Sequence, residues 1–241
     1  MGMRPTDPDR GGGEAGRSSA PFVVARVGAE GDPSSFLELR REGDREGRGV
    51  RCDLGAISLR GGRAEARAMP VAKAVGDART VVDATAGLLG DAFLLAAAGF
   101  EVTAIERSPL VHAVVRDGLE RALRDPRLAA LIGGRLRLVH ADARAWLEAA
   151  AGTPDAPDAV LIDPMFPPKK KRSALPRKEM VVLREAVGTD EDAGGLLTAA
   201  RRCARMRVAL KRADDAAELA TPDWRTEGKT VRFDVWRAEN A

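Results

Sequence analysis

Asp163-Pro164-Met165-Phe166-Pro167-Pro168 places a carboxylate, an aromatic ring and three prolines within six residues. Proline fixes its own φ and pushes the residue before it to extended backbone, so the stretch predicts a rigid, extended loop. Such a loop presents the Asp163 carboxylate, backbone carbonyls outside any helix and the Phe166 ring at one point. The set suits an exocyclic amine on a planar base. That amine is a weak nucleophile, because its lone pair is delocalised into the ring. The Asp163 carboxylate and the Pro164 carbonyl would hold its two N–H bonds and direct the lone pair at a methyl group, with Phe166 stacked on the base. Catalysis of this kind rests on alignment and electrostatics more than on strong acids or bases.

Three other apolar runs also deliver carboxylates at their ends. The first leads into Asp83-Ala84-Thr85-Ala86-Gly87-Leu88-Leu89-Gly90-Asp91. Glycine between a strand and a helix lets the backbone approach a cofactor beside a helix N-terminus. Gly87-x-x-Gly90 lacks the G-x-G-x-x-G spacing of a dinucleotide site, and Asp83 would repel a pyrophosphate. This argues against a nicotinamide oxidoreductase and suits a cationic cofactor such as S-adenosylmethionine, with Asp83, Gly87, Gly90 and Asp91 at the turn. The second run ends in Glu106-Arg107, 23 residues after Asp83, about where an acid accepts ribose hydroxyls in nucleotide-binding sheets. The third ends in His140-Ala141-Asp142-Ala143. Asp142 there fits two roles, an acceptor for an adenine amino group or the N-cap of the helix that follows. Taken jointly, the carboxylates favour a nucleoside-bearing cofactor.

The Asp163 loop runs directly into Lys169, Lys170, Lys171, Arg172, Arg177 and Lys178. The chain has a formal net charge of only +3, but the charge is uneven. Residues 1–168 carry 22 basic against 24 acidic side chains, and residues 169–241 carry 17 against 12. A basic run at the rim of a base pocket suits nucleic-acid phosphates, which position a polymer without reading it. Lys211-Arg212, at the end of a later apolar run, would extend that surface. The chain has no Tyr and only 4% aromatic residues. A stacking platform for single strands is therefore not expected, and shape and phosphates should dominate.

The elements that must position these groups alternate strand and helix, the pattern of a mostly parallel α/β sheet. Strands are expected at 80–82, 101–105, 136–140, 159–162, 207–210 and 230–236, the last in an antiparallel hairpin. Helices are expected at 91–98, 110–123, through Trp146 and at 196–203. Before them, Phe22–Val24, Phe36–Leu39 and Val50–Leu54 read as short strands, and 64–75 as helix with Pro70 against its continuity. The expected organisation is a disordered tail at 1–20, a small β-rich subdomain at 21–63 and the α/β unit at 64–241. No apolar run reaches the ~18 residues of a membrane span, and the polar start has no signal-peptide core. Cys52 and Cys203 are too few for a disulfide framework, and a cytoplasmic setting is expected. His112 and His140 have no partners at metal-ligand spacing, so no metal is expected; oligomeric state is left open.

The pieces DATAGLLGDAF, AIERSP, LIDPMFPPKKKRSALPRKEM and VALKRADD resemble the 16S rRNA (guanine-1516-N2)-methyltransferases of the RsmJ type. The resemblance runs from about Phe36 to the C-terminus and is strongest from Val81 to Arg212. It implies a class I methyltransferase (Rossmann-like) sheet with a small N-terminal domain, S-adenosylmethionine as cofactor, and methylation of a guanine 2-amino group in 16S rRNA or the small ribosomal subunit. Carried over by position, it implies cofactor contacts at Gly90-Asp91, Glu106-Arg107, Asp142-Ala143 and Asp163. Two departures stand out. The family reads D-A-T-A-G-L-G-R-D at the first turn, whereas here Leu89-Gly90 replaces Gly-Arg, and only Arg60-Gly61-Gly62-Arg63 survives of a Gly/Arg-rich stretch. Two other readings keep part of the picture. One is a methyltransferase acting on another base amine or an amide; the other is a non-catalytic RNA-binding or assembly factor on the same scaffold.

Overall fold

A computed structural model of the chain describes residues 20–165, 178–188, 192–228 and 230–239. All but the last residue of the expected 1–20 tail lies outside them. β1 (Phe22–Val27) and β2 (Phe36–Arg41) pair antiparallel as a separate two-stranded sheet. The third expected strand, Val50 to Leu54, does not form. Val50 exchanges one pair of backbone hydrogen bonds with Leu39 at 2.7 and 2.8 Å, and Leu54–Ala56 then tightens into a 3₁₀ turn. Tertiary contact outweighs strand propensity here. Cys52 is wholly buried, and Arg121 donates to its carbonyl at 2.5 Å.

The stretch expected as one interrupted helix is two, α1 (Gly62–Ala68) and α2 (Pro70–Val75), with Met69 extended between them. Extended backbone is what a residue before proline prefers, and Pro70 is tolerated in the first turn of α2. There follow β3 (Thr80–Asp83), α3 (Gly90–Ala98), β4 (Glu101–Glu106), α4 (Pro109–Arg124), α5 (Pro126–Ile132), β5 (Leu136–His140) and α6 (Ala143–Ala150). Then come β6 (Ala159–Ile162), α7 (Lys178–Val187), α8 (Ala193–Cys203), β7 (Arg207–Ala213), β8 (Trp224–Glu227) and β9 (Val231–Arg237). α5 and α7 were not foreseen. α5 has a local cause: Asp125 Oδ1 accepts the N–H groups of Arg127 (2.8 Å) and Leu128 (3.0 Å), with Pro126 in the first turn.

The seven strands lie in the order β5-β4-β3-β6-β7-β9-β8. β3 to β7 are parallel, and β9 runs antiparallel to both β7 and β8. This is a Rossmann-like, mostly parallel sheet with a C-terminal antiparallel hairpin. Side chains alternate faces along each strand. Val81, Leu161 and Ala209 belong to one core with Phe93 of α3 and Val114 of α4. Val82, Val160 and Leu210 belong to a second with Leu147 of α6 and Leu197 of α8. Burial on both faces explains the unbroken apolar runs. β3 pairs with β4 on one side and β6 on the other, so strand order reverses there, and ligands of such sheets bind outside the carboxyl ends at that point.

Candidate active site at the switch point

The turn after β3 is fastened to both neighbouring strands. Ala84 N–H donates to the Leu161 carbonyl at 2.9 Å and Ala86 N–H to the Ile105 carbonyl at 3.0 Å. Thr85 N–H donates to Asp83 Oδ1 at 3.1 Å, and Thr85 Oγ1 accepts the backbone N–H of Asp163 at 2.6 Å. Beside them, Lys211, within β7 and one residue beyond its last pairing with β6 at Leu210, donates to Asp91 Oδ2 at 2.6 Å and lies 3.0 Å from Asp163 Oδ2. Asp83 is 2% exposed. Burial, then the charge of Asp91 and that of Asp163, push its carboxyl up to about 7, against the Thr85 N–H and Lys211. For Lys211, burial favours the neutral amine, but the charges of Asp163 and Asp91 outweigh it and hold the ammonium above its usual range.

In front of this cluster opens a cleft with about 840 Å³ of empty space, part of it open to solvent. Glu106, Asp142 and Asp163 bring carboxylates to its wall, and Ile105, Val111 and Leu196 give it an apolar side. Glu106 Oε1 accepts the Ser108 N–H at 2.7 Å, which fixes the carboxylate at the end of β4. Asp142 caps α6, its Oδ1 accepting the Ala145 N–H at 2.9 Å, and it also lines the cleft. The two roles read from its sequence are therefore compatible. The His112 and His140 rings lie 4.8 Å apart, and His140 Nε2 is 3.1 Å from the Arg107 carbonyl.

Of the residues expected around a cofactor, Gly87, Glu106, Arg107, Asp142, Ala143 and Asp163 line this cleft, whereas Asp83, Gly90 and Asp91 do not. The displaced glycine has a clear structural reading. Leu89 holds left-handed backbone (φ 63°, ψ 14°) at the N-cap of α3 with its side chain wholly buried. A Cβ on Gly90 would meet nothing within 4 Å. The strained position is thus the one at which the family pattern has glycine, and burial of the Leu89 side chain offsets that strain.

Lys211 and Arg212 do not form the basic surface expected of them. Lys211 is committed to two carboxylates. Arg212 is 8% exposed and donates to the Ala217 carbonyl. Successive residues of a strand point to opposite faces, and here Lys211 is half-buried against its two carboxylates while Arg212 is buried. Phe166, Lys169, Lys170, Lys171, Arg172 and Arg177 lie outside the described residues. Lys178 begins α7, and its side chain also lies outside them. Sequence reasoning missed Thr85, and it missed the pairing of Arg144 with Asp192, both of which line the cleft. A hydroxyl two residues beyond a strand-end Asp was the available signal for Thr85.

A family model described as "Putative SAM-dependent methyltransferase" matches residues 32–238. The chain is 46% identical over 188 residues to ribosomal RNA small subunit methyltransferase J of Thioalkalivibrio sulfidiphilus, covering 76% of this chain and 72% of that protein. It is 41% identical over 244 residues to the protein of the same name from Citrobacter koseri, covering 92% and 93%. Among solved structures, it is similar to a SAM-dependent methyltransferase from Neisseria gonorrhoeae. That match has a TM-score of 0.65 and 33% identity, and covers 86% of this chain and 81% of the other.

Proposed function

The chain belongs to the S-adenosylmethionine-dependent methyltransferase family whose curated relatives are named ribosomal RNA small subunit methyltransferase J, and we propose that it methylates the 2-amino group of a guanine in 16S rRNA, the family target being guanine-1516. The observation that carries the reading is the placement of Asp163. It lies at the cleft wall, with its backbone held by Thr85 and its carboxylate beside Lys211.

S-adenosylmethionine is the cofactor, and its sulfonium supplies an electrophilic methyl group. The cleft fits such a group: its lining combines the carboxylates of Glu106, Asp142 and Asp163 with the apolar side chains of Ile105, Val111 and Leu196. Glu106 would accept the ribose hydroxyls, Asp142 and Ala143 would border the adenine, and Gly87 and Arg107 would complete the rim. Asp83, buried behind the turn, would support the backbone there rather than touch the cofactor.

A guanine in RNA must leave its stack before its amine can reach such a pocket. Asp163 would accept one N–H bond and the Pro164 carbonyl the other, leaving the nitrogen lone pair toward the methyl group. Phe166 would stack on the base. The Asp163 charge opposes the positive charge that grows on the amine, so its hold strengthens toward the transition state. Lys169, Lys170, Lys171, Arg172, Arg177 and Lys178 would take phosphates of the small-subunit RNA. Residues 21–63 would act as an accessory unit beside the methyltransferase unit at 64–241, and the setting would be the cytoplasm.

Mass spectrometry of 16S rRNA fragments from cells with and without the gene tests the proposal. Loss of one methylguanine from one fragment, restored by the intact gene, is the expected result. Unchanged methylation of every 16S fragment would overturn it.

A further inference from the structure

We infer that the β1–β2 hairpin is a positioning element for the cleft, with Arg41 as the residue that fastens α7 in place. The inference rests on the reading of that cleft as the S-adenosylmethionine site. On β2, Leu37, Leu39 and Arg41 share one face, since strand side chains alternate. Leu39 belongs to the main core and Leu37 packs against it. Arg41 ends that face with a charge, where the hairpin meets α7. Its Nη2 donates to Glu185 Oε2 at 2.9 Å, across 144 residues of chain. The same guanidinium donates through Nη1 to the Ala20 carbonyl at 2.8 Å and lies 4.4 Å from the Phe22 ring centroid. A planar fork already held by a carbonyl and a ring has little freedom left to lose on pairing. The Arg41 and Glu185 side chains are 20% and 26% exposed, so salt screens the pair less than one in open solvent. Both features raise it above an ordinary surface ion pair.

α7 matters to the cleft through the residues at its end. Val182, Leu183, Ala186 and Val187 fall on one helical stripe and pack into the core. Val187 and Gly188 then line the cleft. Glu185 lies just before them, so a contact on its side chain holds the end of the helix that supplies this part of the lining. The hairpin is also tied to α4. Leu37 N–H donates to Asp117 Oδ2 at 3.1 Å, Asp117 pairs with Arg121 at 2.9 Å, and Val111 of the same helix lines the cleft. One two-stranded sheet therefore bridges two helices that each contribute to the cofactor cleft. A cofactor that meets Val187 and Gly188 binds the docked form of α7, so docking and cofactor affinity strengthen each other. Arg41 is not in the cleft lining, and acts through α7.

Amide hydrogen exchange of residues 178–188 and calorimetric titration with S-adenosylmethionine, both on the full chain, test this. Arg41→Met should speed exchange of the α7 amides by about three- to tenfold, within the coupling expected of two side chains in contact. It should weaken cofactor affinity as well. Adding Glu185→Met to Arg41→Met should change little more, because the pair is already lost. A double variant whose effect is the sum of the two single ones would overturn the role of the ion pair. Arg26→Met is the control, since Arg26 donates to Ser35 Oγ at 3.2 Å within the hairpin. Its α7 exchange and cofactor affinity should match the wild type, and an effect equal to that of Arg41→Met would also overturn the inference. So would unchanged α7 exchange in Arg41→Met, or faster exchange with unaltered cofactor affinity. If Arg41→Met does not fold, Glu185→Gln carries the same measurements with the same expected direction. Absence of cofactor binding by the wild-type chain would instead overturn the reading of the cleft, and the exchange of α7 would still decide whether Arg41 fastens it.

Discussion

Thr85 Oγ1 accepts the backbone N–H of Asp163 at 2.6 Å, joining the turn after β3 to the loop after β6. Both segments line the cleft, the first through Ala84, Thr85 and Gly87 and the second through Asp163, the carboxylate proposed to hold the target amine. One hydroxyl thus ties together two segments of the cleft lining that belong to different strands. A donor left without its acceptor in a partly buried place costs about 1–3 kcal/mol.

Thr85→Val keeps the shape of the side chain and removes that acceptor. It should lower stability by about 1–3 kcal/mol and reduce the single-turnover rate of methyl transfer. Thr85→Ser should recover most of both. Denaturant unfolding and single-turnover assays on the three proteins measure this, and equal rates in Thr85→Val and wild type would show that the tie does not matter to the chemistry.

Asp163→Ala should depress the rate of transfer strongly, with RNA affinity much less changed, because its hold on the amine grows as positive charge develops there. Asp163→Asn separates two contributions. An amide keeps an acceptor oxygen but not the charge, so partial activity indicates charge stabilisation and nearly full activity indicates alignment alone. Saturating enzyme in a single-turnover format reads the rate directly. Near-normal transfer by Asp163→Ala would exclude the mechanism.

Glu106→Ala should weaken cofactor binding by about 1.5–3 kcal/mol, the range for hydrogen bonds to a charged group. Glu106 also accepts the Ser108 N–H at 2.7 Å. Glu106→Gln retains an acceptor for that bond while losing the charge, so it should fall between wild type and Ala. Calorimetric titration with S-adenosylmethionine gives the three affinities, and an unchanged value for Ala removes Glu106 from the site.

Asp83 should make folding stability fall as pH rises. Its carboxyl is pushed from 3.8 up to about 7, first by burial and then by its acidic neighbours. Between these values the folded chain binds a proton that the unfolded chain has released. The stabilisation is therefore complete below the unfolded value and is lost as pH rises through the folded one. Asp83→Asn mimics the protonated form and keeps an oxygen for the Thr85 N–H. Relative to wild type it should gain on the order of 3 kcal/mol between pH 4 and pH 8. Denaturant unfolding across that range checks the sign, and a pH-independent difference would show that Asp83 is ionised throughout.

Two glycines should respond oppositely to alanine. A Cβ on Gly118, in the middle of α4, would lie 2.5 Å from Cys52 Cβ and 2.7 Å from the Cys52 carbonyl oxygen. Overpacking of that kind costs about 1–3 kcal/mol, so Gly118→Ala should destabilise despite its better helix propensity. Gly90, in the first turn of α3, has open space for a Cβ and ordinary backbone. Gly90→Ala should therefore stabilise by about 0.5–1 kcal/mol. Thermal melts of the two variants compare them, and cofactor affinity in Gly90→Ala tests whether its backbone is approached closely.

Much of the fold was legible because the central parallel strands are buried on both faces, β6 throughout, and so write themselves as apolar runs, while edge strand β5 still shows apolar residues at Leu136, Leu138 and Val139. β5 and β6 begin and end where those runs do. The failures have local causes. Val50 to Leu54 has strand-like residues but packs against α4 instead of extending the β1–β2 sheet. α5 was hidden because Asp125-Pro126 reads equally as a turn or as a cap and first helical residue.

Sequence by itself determined which chemistry was available: carboxylates at strand ends, a proline-bound Asp163 loop, no dinucleotide fingerprint, and an acid 23 residues after Asp83. Those signals are local, since a strand end and a proline constrain only their own neighbours. What the tertiary structure decided was partnership. Lys211 lies 120 residues from Asp91 in the chain, and Thr85 lies 78 from Asp163. Nothing local tells a lysine at a strand end whether it will face phosphate or a pair of carboxylates. That depends on which strand lies beside which, and here β6 sits between β3 and β7. The strand order, set by burying two apolar faces at once, turned Lys211 inward and gave Asp163 its support.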